Sequence, residues 1–149
     1  MTLMRTKERE IRRMLEELGR SETEVRNLSK MALRTIDEFL REDDDRRRLI
    51  QIENVRSLRD MANNSSARAQ SLAVDIFFMT SSREYMNYED EMRRIFSCYG
   101  YQWRDRAIKS ARFAKSRARQ VSERVEGLYS WNRNKKIGDL PEAEGQDNE

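Results

Sequence analysis

The sequence predicts an all-α protein, an elongated helical hairpin or coiled-coil-like bundle with one long C-terminal helix. Three observations lead there. Apolar residues recur every three or four positions through most of the 149 residues. Turn formers are scarce, with five glycines and one proline. Charged residues reach 38% and hydrophobic ones 37%, against ordinary values of about 25% and about 45–50%. That is too little apolar mass for a thick globular core, but enough for narrow seams along charged helices.

The first element is a short amphipathic helix over residues 1–20, with Met4, Ile11, Met14, Leu15 and Leu18 on one face and Gly19 expected to end it. The stretch "SETE" then puts Ser21 three residues before Glu24, a capping box in which each side chain satisfies a backbone N–H at the start of a helix. A second apolar face follows at Val25, Leu28, Ala32, Ile36, Phe39 and Leu40. In "REDDDRRR" that stripe stops. Glu42, Asp43 and Asp44 stand four residues before Arg46, Arg47 and Arg48, the order that favours helical ion pairs at about 0.2–0.5 kcal/mol each. This run reads as a solvated helical segment, with a hinge or an acidic docking spot as the sharper alternative. Ile52, Val55, Leu58 and Ala62 resume the stripe. Asn63, Asn64, Ser65 and Ser66 favour turns and caps, so a chain reversal is expected there. Ala69, Leu72, Ala73, Ile76 and Phe77 form the next face.

A second capping box, "SSRE", pairs Ser81 with Glu84 and opens the last helix. Tyr85, Tyr88, Met92, Ile95, Phe96, Tyr99 and Trp103 fall within an arc of roughly 100°. Ala107, Ala111, Ala114, Ala118, Val121, Val125 and Leu128 continue it, with heptad alternation from Ala111 onward. Unbroken from Ser82 to Trp131, this helix would extend roughly 75 Å. Gly100 is a candidate kink within it. Beyond Asn132 the periodicity ends, and "IGDLPEAEGQDNE" holds five acids and no base. The expected organisation is therefore a helix at 1–20, a helical bundle over 21–132 and a disordered acidic tail over 133–149.

Composition narrows the function classes. The chain has no histidine and a single cysteine, Cys98, so common zinc sites and nucleophilic triads lack their parts. The five glycines are isolated, with no phosphate-cradling loop. No catalytic residue, metal, cofactor or small-molecule substrate is expected. The longest apolar run, Ile76–Met79, falls far short of the ~20 residues of a membrane span, and no amino-terminal signal pattern is present. A cytoplasmic or nuclear protein, neither secreted nor transmembrane, is the expectation.

The seam suggests binding. Alanine at contact positions lets helix axes approach toward the lower end of the ~8–10 Å range, while each buried carbon group contributes only about 0.8 kcal/mol. A slender alanine section thus follows a bulky aromatic one. The candidate partner-binding residues are Tyr88, Met92, Phe96, Tyr99 and Trp103, then Ala111, Ala114, Ala118, Val121 and Val125. Their partner is the Val25–Leu40 helix folded back, a second copy, or another helical protein. The expected role is a non-catalytic coiled-coil adaptor or assembly subunit of a larger intracellular complex. The alternative uses the basic face of residues 104–124, where eight bases meet two acids. Arg104, Lys109, Arg112, Lys115 and Arg119 would there meet nucleic-acid phosphate or an anionic membrane. With a whole-chain charge of only +3, that basicity is local.

Overall fold

The described residues form three long helices: α1 (Thr2–Arg41), α2 (Asp45–Thr80) and α3 (Gly100–Asp139). The structure is a computed structural model that describes the backbone of residues 2–81 and 100–139, and the side chains of residues 6–81 and 102–130. The all-α class holds, with no strand among the described residues. At ~1.5 Å per residue each helix spans about 55–60 Å, and each packs against both others. Cross-helix contacts set the directions. Glu24 meets Ser65, and Thr80 meets Arg104, so α2 runs antiparallel to its neighbours. Glu22 meets Ser110 and Asp37 meets Arg124, so α1 and α3 run parallel. The result is an elongated up–down–up bundle.

The first reversal falls at the acidic run. Asp44 is the N-cap of α2, with an extended backbone (φ −81°, ψ 119°), and its carboxylate accepts from the Arg46 N–H at 2.9 Å. Arg48 Nε donates back to the Glu42 carbonyl at 2.7 Å, satisfying a carbonyl just past the end of α1. The expected i,i+4 ion pairs do not form because the helix is interrupted. The close pairs are instead Arg47 with Asp44 at 3.9 Å and Arg48 with Asp45 at 3.8 Å. The run is a break between two helices rather than a continuous solvated helix.

Two other expected breaks are absent. Helix α1 continues through Gly19 and the "SETE" stretch. Ser21 is buried inside it rather than capping a new helix. The reversal expected at Asn63–Ser66 lies in the middle of α2. The reason is packing. Ser65 and Ser66 are buried beside Ala62, at the level where Ser29 and Ala118 are buried too, so small residues form a waist between the two halves of the core. Size decides there, and the loop propensity of serine is overridden. The Ser65 hydroxyl donates to the Glu24 carboxylate, and Gln70 Nε2 donates to Ser66 Oγ at 3.1 Å.

One core cluster joins Ile11, Met14, Leu15, Leu18 and Val25 of α1 to Ala69, Ala73 and Ile76 of α2 and Trp103, Ala107, Ala111 and Ala114 of α3. The other joins Ala32, Ile36 and Phe39 to Ile52 and Val55 and to Val121, Val125 and Leu128. Helix α3 also carries the chain through residues 133–139, which were expected to belong to the tail. The reading of "SSRE" as an N-terminal cap and the path of the chain from 82 to 99 lie outside the described residues. Within them, Ser81 closes α2, donating to the Phe77 and Phe78 carbonyls at 3.0 and 3.3 Å.

Candidate partner-binding groove

The alanine seam faces inward. Trp103, Ala111, Ala114, Ala118, Val121 and Val125 are each at most 9% exposed. Apart from Ala118 at the waist, they belong to the two core clusters. Their partners are α1 and α2 of the same chain: Trp103, Ala111 and Ala114 pack with residues of the first half of α1, and Val121 and Val125 with Ala32, Ile36 and Phe39. An external helix at these positions would have to displace α1 or α2. Of the aromatic section, Trp103 packs beneath the Arg12 guanidinium, 5.9 Å from the ring centre. Tyr88, Met92, Phe96 and Tyr99 lie outside the described residues.

The five cations of the alternative reading are divided among different tasks. Arg104 donates to the Thr80 carbonyl at 2.8 Å and ties the end of α2 to the start of α3. Lys109 pairs with Asp105 at 3.0 Å. Arg112, Lys115 and Arg119 are exposed, and none of them has an ion pair among the described residues. Residues 112, 115 and 119 recur at three- and four-residue steps, which puts them on one face of α3.

That face borders an apolar recess. A groove of about 430 Å³ between α2 and α3 is lined by Gln70, Ala73, Val74, Phe77 and Phe78 from one side, and by Ile108, Ala111, Arg112 and Lys115 from the other. Ala73 and Ala111, both nearly buried, form a floor low enough to admit a side chain between the helices. Val74, Phe77 and Phe78 remain 51%, 45% and 68% exposed. The two phenylalanine rings meet edge to face, with centroids 6.1 Å apart and planes at 80°, so each limits the other's movement. Exposed apolar residues scattered singly are ordinary. Three within two helical turns, beside a recess, form a patch.

The opposite groove, between α1 and α3, differs in character. It has a similar volume, about 450 Å³, but its lining includes Glu22, Asp105, Arg106, Lys109 and Ser110. Its charges are largely matched. Glu22 pairs with Arg26 at 3.0 Å and accepts from Ser110. The Arg26 and Arg117 guanidiniums lie 4.6 and 5.1 Å from the centre of the Phe113 ring. The α2–α3 groove instead sets exposed aromatic surface beside cations with no carboxylate in its lining.

Val74 and Phe78 were not singled out by periodicity, and Phe77 was assigned to the buried face. The signal was the unbroken run Ile76–Met79. Successive helical residues are 100° apart, so four apolar side chains in a row cannot all face one core. Ile76 takes the interior and the phenylalanines are turned outward. Among the described residues no group of acidic or thiol side chains is arranged to hold a metal ion, and no helix is long and apolar enough to cross a membrane. No family model matches the chain, and neither the curated proteins nor the solved structures contain a match to it.

Proposed function

We propose that this protein is a non-catalytic adaptor or assembly subunit that works by docking a partner protein on the α2–α3 face. The observation that carries this reading is the exposure of Val74, Phe77 and Phe78 beside a groove with a small-residue floor. With Phe77 45% and Phe78 68% exposed, each forgoes roughly half to two-thirds of the ~1.5–3 kcal/mol that full burial provides. A rigid bundle that closes its own seam internally is a suitable platform, since a preformed surface loses little conformational entropy on binding. The alanine seam then has the task of bringing α3 close to α1 and α2, and the contact surface lies on its flank.

The test is affinity purification of the full chain from its native cells under three conditions: wild type, Phe77→Ser/Phe78→Ser, and Leu49→Ser/Ile50→Ser. The last pair removes exposed apolar area elsewhere on α2. A near-stoichiometric partner should be kept by the wild type and the Leu49/Ile50 variant and lost by the Phe77/Phe78 variant, with unchanged thermal melts. An identical set of retained proteins in all three, or none in any, would contradict docking at this face.

The second reading, contact with nucleic acid or anionic lipid, draws on Arg112, Lys115 and Arg119, which have no carboxylate partners among the described residues. Phosphate binding gives no reason for the adjacent phenylalanines. Binding through these cations alone would weaken steeply with added salt and be indifferent to Phe77→Ser/Phe78→Ser.

A further inference from the structure

We infer that the occupant of the α2–α3 groove is an amphipathic helix of a partner protein, with an apolar stripe flanked by carboxylates that Arg112 and Lys115 receive. This specifies the ligand of the docking surface proposed above and rests on that reading. Charge carries the inference. The groove lining contains two charged residues, both cationic, and no carboxylate. The α1–α3 groove, by contrast, sets Glu22 and Asp105 among its own cations. Arg112 and Lys115 have no carboxylate partner among the described residues, and Arg119 extends their row by one further turn.

Shape favours a helix over a bilayer. The outward phenylalanines wall one side of a trough whose floor, Ala73 and Ala111, lies recessed between two antiparallel helices, and a bilayer surface would leave that floor unfilled. Such a trough is the form that receives large side chains spaced three and four residues apart on a third helix. Phe77, Phe78 and Val74 would cover that stripe from one side and Ile108 from the other. The cations at 112, 115 and 119 rise along α3 at ~1.5 Å per residue. Carboxylates one and two turns apart on a helix laid along the groove match that spacing.

The test uses the purified full chain and two stapled helical peptides of about four turns. Both carry the same leucine stripe, flanked by glutamates in one and by lysines in the other. The acidic peptide should bind at least about tenfold more tightly than the basic one at low salt, and the gap should narrow as salt rises. Arg112→Glu/Lys115→Glu should reverse the preference, and Phe78→Ser should weaken both peptides with the melt unchanged. Equal or stronger binding of the basic peptide overturns the acidic partner but leaves docking at the groove standing. If neither peptide binds while the native partner is still lost on Phe77→Ser/Phe78→Ser, the occupant is not a helix of this kind. Phe78-dependent binding to phosphatidylserine vesicles, without peptide binding, makes the face a lipid surface and overturns the inference. Phe78-dependent self-association in sedimentation assigns the groove to a second copy and overturns it equally.

Discussion

Ala114 has no exposed surface and Ala118 almost none, although both are surrounded in sequence by lysine and arginine. Enlarging the first, as in Ala114→Leu, should overpack the contact and destabilise the bundle by about 1–3 kcal/mol. Ala118→Glu brings a carboxylate into the nearly buried waist and should cost several kcal/mol. Arg112→Ala and Arg119→Ala, on the exposed flank, should leave urea denaturation within about 0.5 kcal/mol of wild type. Ser29 behaves in the opposite sense. It is 2% exposed and its hydroxyl has no hydrogen-bond partner. Ser29→Ala removes a buried, unsatisfied polar group and improves helix propensity, so stability should rise by about 1–2 kcal/mol in the same assay. The alanine seam was legible because its alternation of three and four is a pattern of spacing, and spacing survives whatever the residue type. The waist was not. Ser65 and Ser66 have turn chemistry locally, and only the proximity of the neighbouring helices makes small size the property that matters.

At the scale of the helices, the positions of the breaks follow from which backbone groups can be satisfied. The Asp44 carboxylate accepts from the Arg46 N–H and sits at the positive end of α2. Asp44→Ala should therefore destabilise the α1–α2 hairpin by about 1 kcal/mol, measured by denaturation. Gly19 makes a contrasting case. It lies on the exposed side of a continuous helix, and a methyl group added there would meet nothing within 4 Å. Gly19→Ala should stabilise α1 by about 0.5–1 kcal/mol, and a loss of stability would show that the helix needs a break at this point. A glycine ending a helical pattern and a glycine crossed by one look alike in sequence. The apolar stripe merely shifts its register near Ser21, and Ile11, Met14, Leu15, Leu18 and Val25 join one core cluster across that shift, while Ala32, Ile36 and Phe39 join the other. The acidic run offered both a solvated helix and a hinge. Its i,i+4 charge spacing favoured the first, while Asp44 capping combined with the Arg48 contact to the Glu42 carbonyl produces the second.

Across the whole molecule, the three described helices pack pairwise, and the grooves between them differ in chemistry. The α1–α3 groove is lined by acids and bases together, and the α2–α3 groove by exposed phenylalanines and cations with no carboxylate. The sequence showed the basic residues and the apolar run separately. Their meeting across two helices depends on the antiparallel register that places Phe77 and Phe78 opposite Ile108, Arg112 and Lys115. No periodicity within a single helix encodes that register. The most direct measurement is a photo-cross-linking scan of the intact chain in its native cells, with the photoreactive residue placed in turn at Phe78, Lys109 and Glu53. Docking on the α2–α3 face predicts a discrete protein adduct from Phe78, lost on Phe77→Ser, and none from the other two positions. A strong adduct from Lys109, equal labelling at all three positions, or silence at Phe78 would contradict it.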